Sequence, residues 1–328
     1  MGKLRDYLPA LRYGNKIHPE DLAGMIGLPY IGNVYYVDGT NGNDTANNGK
    51  SGSQAFKSAS AAHAATTTLK HDVVVVIAGG TAAGAAANET SAVTWSNSYT
   101  HLVGAAAGNV VAGRARIVAN ANALSPFVTF SGNGNIISNV QIYNGQTTGL
   151  YDVKVTGDRN AFSNVHFAGI ADATAGDSAA AAALWLSGSD ENLFSHCVIG
   201  VDTAARSTSN AELEVSDSST RNIFEDSYFL SYADNAGHFF VKVDAAADID
   251  RFLIFNGCTF LNATKSAATA MTAAFSVHAA AGGTILLKNC TLFGATDWEA
   301  TGESGNTVID GAAPTNNTSG IAINVETT

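Results

Sequence analysis

Charge is scarce in this chain. Only 14% of its 328 residues are charged, and 17 basic residues face 28 acidic ones, a net charge of −11 that argues against a nucleic-acid binder. Ala, Gly, Ser, Thr and Asn fill the space, a mixture that suits close-packed turns and stacked strands better than exposed helices. Long apolar runs are missing too. No stretch reaches transmembrane length, and the start, Met1-Gly-Lys-Leu-Arg-Asp-Tyr-Leu-Pro9, lacks the apolar centre of a secretory signal. The expectation is synthesis in a host cytoplasm without Sec export. Metal-ligand patterns are also absent. Asp38 to Asp44 is oxygen-rich but has neither the EF-hand spacing nor a closing Glu, and turn chemistry accounts for it. The histidines show no pair at ligand spacing: His166 falls in an outward position, His196 in a bend and His238 in a loop, so no metal and no cofactor is expected.

What the chain does have is a nine-residue phrase, repeated six times. It reads Asn135-Ile-Ile-Ser-Asn-Val-Gln-Ile-Tyr143 and returns from Asn160, Asn192, Asn222, Leu253 and Ile285, at intervals of 25, 32, 30, 31 and 32 residues. Such a period signals a solenoid, propeller or array. Its third column (Ile137, Phe162, Phe194, Phe224, Phe255, Leu287) and eighth column (Ile142, Phe167, Ile199, Phe229, Phe260, Leu292) are always large and apolar. The sixth is small: Val140, Val165, Cys197, Ser227, Cys258 and Cys290. The fifth holds Asn139, Asn164, His196, Asp226, Gly257 and Asn289, mostly residue types that tolerate the left-handed conformation. Two short strands joined by a one-residue bend follow from this, stacked coil on coil at ~4.8 Å.

A third strand precedes most copies of the phrase. Tyr151–Val155, Leu184–Leu186, Glu212–Val215, Phe239–Val243 and Phe275–His278 alternate with the period of two that a strand requires. Their inward set is Val153, Val155, Leu184, Leu186, Leu213, Val215, Val241, Val243, Phe275 and Val277. All three cysteines fall in one inward column; free buried thiols are expected, although disulfides between neighbouring coils are geometrically conceivable.

Three regions result. Residues 1–33 hold three of the five prolines together with Lys3, Arg5, Arg12 and Lys16. His18-Pro19-Glu20-Asp21-Leu22 reads as a short helix start. Tyr7, Leu8, Leu11, Tyr13, Met25, Ile26, Leu28, Tyr30 and Ile31 make this segment an adhesive arm, for the body or for another protein. Residues 34–70 read as a strand, a Gly/Asn/Asp loop and an Ala-rich helix over Gln54–Leu69 with Phe56, Ala59 and Ala62 on one face. Residues 71–328 form the solenoid. Tyr36-Val-Asp-Gly-Thr-Asn-Gly-Asn-Asp44, then Gln54-Ala-Phe-Lys57 leading a helix, the valine strand Val73–Ile77 and His101-Leu-Val-Gly104 resemble the opening of pectin-lyase-like right-handed parallel β-helix proteins. The resemblance covers residues 34 to 328 and implies an all-β, single-stranded right-handed parallel β-helix with an N-terminal capping helix and a short N-terminal arm. It is similar in character to bacteriophage virion proteins of that superfamily, the capsid-attached proteins, fibres and tailspikes, which implies anchoring to other virion proteins through residues 1–33, assembly as a homotrimer and a location on the virion.

The candidate chemistry lies on the outer side of the third strand. Its outward residues are Asp152 and Lys154, Trp185 and Ser187, Glu212 and Glu214, Phe240 and Lys242, Ser276 and His278. Glu212 and Glu214, ~7 Å apart as alternate strand residues on one face, are the catalytic candidates. Trp185, Phe240, Lys154 and Lys242 are the candidate contacts to a glycan or a subunit. Paired carboxylates, basic residues and an aromatic platform are the parts that acid/base attack on a glycan needs. A solvated or subunit-facing strand whose charges alternate to avoid repulsion explains the same residues, and is favoured. The Asp-Asp and Gly-His-Gly signatures of the superfamily's polygalacturonases are absent, as is a lyase-type acidic cluster beside an Arg. The reading therefore leans against an enzyme. Its first function is a structural virion protein of a tailed phage; the alternatives are a tailspike-type polysaccharide depolymerase and a non-catalytic glycan-binding adhesin, with no nucleic-acid or membrane partner.

Overall fold

The computed structural model describes residues 30–79, 86–109, 111–207, 210–262, 269–300 and 307–309, together with Gly24, Gly27 and Leu28. Within them the chain winds into a parallel β-solenoid with three sheets. Sheet A has ten strands, running from Val34–Val37 through Val73–Ile77, His101–Ala105 and Ile136–Ser138 to Thr307–Ile309, and sheets B and C have eight each. Every coil-to-coil pairing is parallel, and like columns of the repeat meet in register: Phe162 pairs with Ile137 and Phe194, and Phe224 with Phe194 and Phe255. The repeat phrase is therefore one strand of sheet A, a bend and one strand of sheet B. The third strand is sheet C.

The bend is made as the sequence requires. Asn139, Asn164, His196, Asp226, Gly257 and Asn289 all have positive φ, between 46° and 68°. Inside the bends, Phe162, Phe194, Phe224 and Phe255 stack ring on ring at 4.7, 4.5 and 5.1 Å. Each such ring is fully buried and contributes about 1.5–3 kcal/mol. The expected inward set of sheet C is buried throughout. Cys197, Cys258 and Cys290 are free thiols that donate to the carbonyls of Phe162, Phe224 and Phe255 one coil earlier. Burial pushes the Cys197 thiol up to about 12.

The first column of the repeat does more than its polarity suggested. Asn135, Asn160, Asn192 and Asn222 are each 1% exposed. Their side-chain oxygens form a ladder: Thr100 N donates to Asn135 Oδ1 at 2.8 Å, Asn135 N to Asn160 at 2.8 Å, Asn160 N to Asn192 at 2.9 Å and Asn192 N to Asn222 at 3.0 Å. The ladder satisfies backbone donors where the chain leaves one sheet for the next. From Leu253 onward, apolar residues occupy the column.

Two expectations need correction, and a third is untested. The helix over Gln54–Leu69 shrinks to a 3-10 turn at Gly52–Gln54 and a six-residue helix, α1, at Ala59–Ala64. Ser58 caps it by accepting from Ala61 N, and the β-branched run Thr66-Thr67-Thr68 with Leu69 at φ 63° ends it. Ala59 and Ala62 are buried as expected, while Phe56 lies before the helix, in a bridge to Val37. His166 does not face solvent: it is 4% exposed, accepts from Ala112 N and faces the Gly200 carbonyl at 3.0 Å. The helix start at His18–Leu22 lies outside the described residues.

Two predictions follow from this packing. Asn192→Ala strips the Asn160 and Gly157 backbone groups of their buried partner, so urea unfolding should show a loss of about 2–4 kcal/mol. His63, His101 and His166 each accept a backbone N–H, from Ser96, Ile136 and Ala112, which requires an unprotonated ring nitrogen. Burial holds each near 4, against 6.5 in the unfolded chain. Their contribution is therefore complete above pH 6.5 and is lost as the pH falls from there toward about 4, at about 1.4 kcal/mol per pH unit for each. Urea midpoints at pH 7 and pH 5 should differ accordingly, and His166→Gln should flatten the slope.

Candidate functional site

Register pairing lines up Lys154, Trp185, Glu214, Lys242 and Ser276 as one column on the outer face of sheet C. Each sits between two buried inward residues, so strand alternation points it outward. Tyr151, three residues ahead of Lys154, completes the group. Its ring stacks on Trp185 at 4.6 Å with 28° between planes, and its hydroxyl donates to Glu214 Oε2 at 3.2 Å. Lys154 Nζ lies 3.6 Å from the Trp185 ring centre, and the indole N–H donates to Ser216 Oγ at 2.8 Å. Lys242 pairs with Asp244 at 2.8 Å.

Electrostatics sharpen the roles. Burial raises the Glu214 carboxyl above its usual range; the Tyr151 hydroxyl and Lys242 pull it down again, and Asp244 and Asp248 push it up. Burial and the neighbouring Glu214 carry Tyr151 up to about 12, so its hydroxyl stays a donor. Asp217 is lowered by hydroxyl donation from Ser187 and Ser216. This column offers a stacked aromatic pair, one half-buried carboxyl and two ammonium groups on a rigid sheet.

Two of the expected site residues are elsewhere. Glu212 is 1% exposed and Phe240 fully buried, and Asp152 shares their column with Ala183 and Ala274. This column stands where the chain turns from sheet B into sheet C, so it is enclosed on the side that alternation assigns to solvent. A Cβ added to Gly200 would meet the Glu212 carboxylate at 2.6 Å, and Gly169 N donates to Asp152 Oδ2. Phe240 packs edge-on against Phe260 at 5.5 Å, within the main core. Glu212 and Glu214 therefore do not form a pair on one face.

Glu212 instead belongs to a buried ionic group that sequence reasoning missed. Its Oε1 is 3.7 Å from Arg206 Nε and 3.3 Å from His238 Nε2, and all three side chains are at most 1% exposed. Arg206 Nη2 donates to the carbonyls of Ala181 and Ala211. Asn210 gives its amide hydrogens to Gly176 and Ser178, which leaves its oxygen for the His238 Nδ1–H at 2.6 Å. The second nitrogen of that ring then faces Glu212, a contact that attracts only with a proton on it. Burial lowers the His238 pKa and Glu212 opposes it. With no open face, this group is structural.

A polar cavity of about 430 Å³ lies at the N-terminal end, lined by Asp44, Lys57, Ser58, Ser60, Glu89 and Asn120 among others. Both Glu89 oxygens are engaged, by Ala59 N and the Ser60 hydroxyl at 2.6 Å each, so this carboxyl holds the start of α1 in place. Asp38 accepts from Thr40 N and Asn41 N, the bonds of a turn. Of the arm residues, Tyr7, Leu8, Leu11, Tyr13, Met25 and Ile26 lie outside the described residues; Leu28 is partly buried and Tyr30 is 61% exposed.

No family model and no curated protein sequence matches the chain. Solved structures do. Pectin methylesterase PemA from Erwinia chrysanthemi superposes with a TM-score of 0.56 at 15% identity, over 89% of this chain and 91% of that one. The pectin methylesterase of Aspergillus niger gives 0.53 at 12%, over 89% and 86%, and the pectate lyase Pel9A 0.56 at 14%, over 85% and 68%. The chain has the parallel β-helix fold of these proteins. At such identities the likeness carries fold and nothing finer.

Glu212→Ala should cost about 3–5 kcal/mol in urea unfolding, because it strands a buried guanidinium. Glu214→Gln should cost less than about 1 kcal/mol, since its partner remains a neutral hydroxyl at a half-open face.

Proposed function

We propose that this chain is a glycan-recognising β-helix that holds polysaccharide along the outer face of sheet C without cleaving it. The observation that carries the reading is the stacked Tyr151–Trp185 pair, whose Trp185 is in register with Lys154, Glu214 and Lys242. Aromatic rings on a rigid sheet offer apolar area with few rotatable bonds, while charged neighbours orient hydroxyl and carboxylate groups. Lys154 covers part of the Trp185 ring, and its cation–π contact is worth only about 0.5–1 kcal/mol at an open site. A sugar displaces it cheaply.

The absence of a Glu212–Glu214 pair favours binding over cleavage. One observation favours a depolymerase as the second reading: the raised Glu214 carboxyl, 3.2 Å from a phenol, has the character of a general acid. The virion setting and three-copy assembly expected from the resemblance belong to this proposal, with the glycan on a host surface. In the same reading α1, which packs against Val34–Val37, Val73–Ile77 and Val93–Trp95, closes the N-terminal end of the solenoid.

Calorimetry against a panel of acidic and neutral bacterial surface polysaccharides tests the reading. Trp185→Ala should weaken binding about tenfold or more, and Lys154→Ala should strengthen binding of neutral glycans or leave it unchanged. Failure of the wild-type chain to bind any member sinks the proposal. Release of reducing ends that stops with Glu214→Gln replaces it with the depolymerase.

A further inference from the structure

One column of the repeat is not explained by the core. The second position of the phrase is Ile136, Ala161, Leu193, Ile223, Ile254 and Leu286, and strand pairing places all six in register on sheet A. They alternate with the buried column from Ile137 to Leu287 and so face away from the core. Leu193 is 36% exposed and the others are partly exposed. Five steps of ~4.8 Å make an apolar ridge about 24 Å long on the outside of the sheet. One flank is polar, with Ser138, Ser163 and Ser195 followed by Glu225, Asn256 and Lys288. The ion-paired ladder Arg159–Glu191–Arg221 runs along the other. A contiguous apolar strip with a polar rim marks an interaction surface.

The start of the same face shows what covers it. In the coils before Ile136 the outer side of sheet A presents Tyr36, Val73, Val75 and Val103, and the chain's own N-terminal segment lies over them. Ile31 is 8% exposed in that cluster, and Leu28 packs against it. Gly32 N donates to the His71 carbonyl and Asn33 N to Asp72 Oδ1, which fixes this segment to the edge of the face. Val103 pairs with Ser138, the residue two along from Ile136. Leu28 and Ile31 therefore cover the part of this face that comes just before the ridge. The residues ahead of Leu28 include Leu8, Leu11, Met25 and Ile26, and 27 residues reach up to about 90 Å when extended, several times the ridge.

We propose that residues 1–26 dock along the ridge of their own chain, continuing the cover that Leu28 and Ile31 begin. The ridge is on sheet A and the glycan face on sheet C, so this inference stands or falls independently of the proposed function.

Limited trypsin digestion of the full-length chain, with cleavage after Arg12 and Lys16 followed by mass spectrometry, tests it. In the wild type both bonds should be protected. Ile223→Glu with Ile254→Glu should speed their cleavage about tenfold, with the thermal midpoint of the body nearly unchanged, because both side chains are on its surface. Leu11→Ser with Ile26→Ser should give the same acceleration, and the two pairs together should add little, since each removes one side of a single contact. If the glutamates lower the midpoint, Ile223→Thr with Ile254→Thr keeps the β-branching and should act in the same direction. Fast cleavage in the wild type, or fully additive effects, overturns the proposal. So does a wild-type oligomer in sedimentation velocity that the ridge pair dissociates and the arm pair leaves intact, for then a second copy covers the ridge.

Discussion

In the six coils that carry the repeat phrase the chain passes from sheet A to sheet B through two residues, and the left-handed backbone of the first makes that turn. Asn139, Asn164, His196, Asp226, Gly257 and Asn289 supply it. Because the bend has the same length in these six coils, the flanking strands keep the same register. The Phe162–Phe194–Phe224–Phe255 stack and the column of cysteines and small residues follow from that register. A one-residue slip within this short bend would turn the side chains of the following strand to the wrong face. Insertions elsewhere are tolerated: the segments between sheets B and C vary in length and include the helix Ala173–Gly176.

Polar groups inside the solenoid are placed where the regular ladder cannot serve the backbone. The Asn135–Asn222 ladder feeds donors at the entry to sheet A, and His63, His101 and His166 do the same at other corners. The Arg206–Glu212–His238 group is of another kind. It places charge in the wall between sheets B and C, where desolvation is costly and only mutual pairing offsets it. Glu214 follows two residues along the same strand.

The outer face of sheet C is ordered by its own contacts. Tyr151 reaches across coils to Trp185 and Glu214, and Lys154 and Lys242 lie on either side. A surface held in this way changes little when a ligand arrives, so less entropy is lost on binding. Sheet A offers the opposite character, an apolar ridge without charge of its own. One body thus carries two faces of different chemistry a third of a turn apart.

The sequence by itself determined the solenoid, the bend, the three inward columns and the outward placing of Lys154, Trp185, Glu214 and Lys242. Those features are periodic, and local backbone geometry converts period into direction. It did not reveal Tyr151 as a partner of Trp185, because that stack joins different columns of neighbouring coils. It also misplaced Asp152, Glu212 and Phe240, since alternation counts one enclosed face and a corner encloses both. His238 and Arg206 meet Glu212 from separate loops, a meeting that no spacing along the chain encodes. Only the tertiary structure decided which carboxylate is buried and which lies on the outer face, because burial depends on what the next coil and the next sheet place against a side chain.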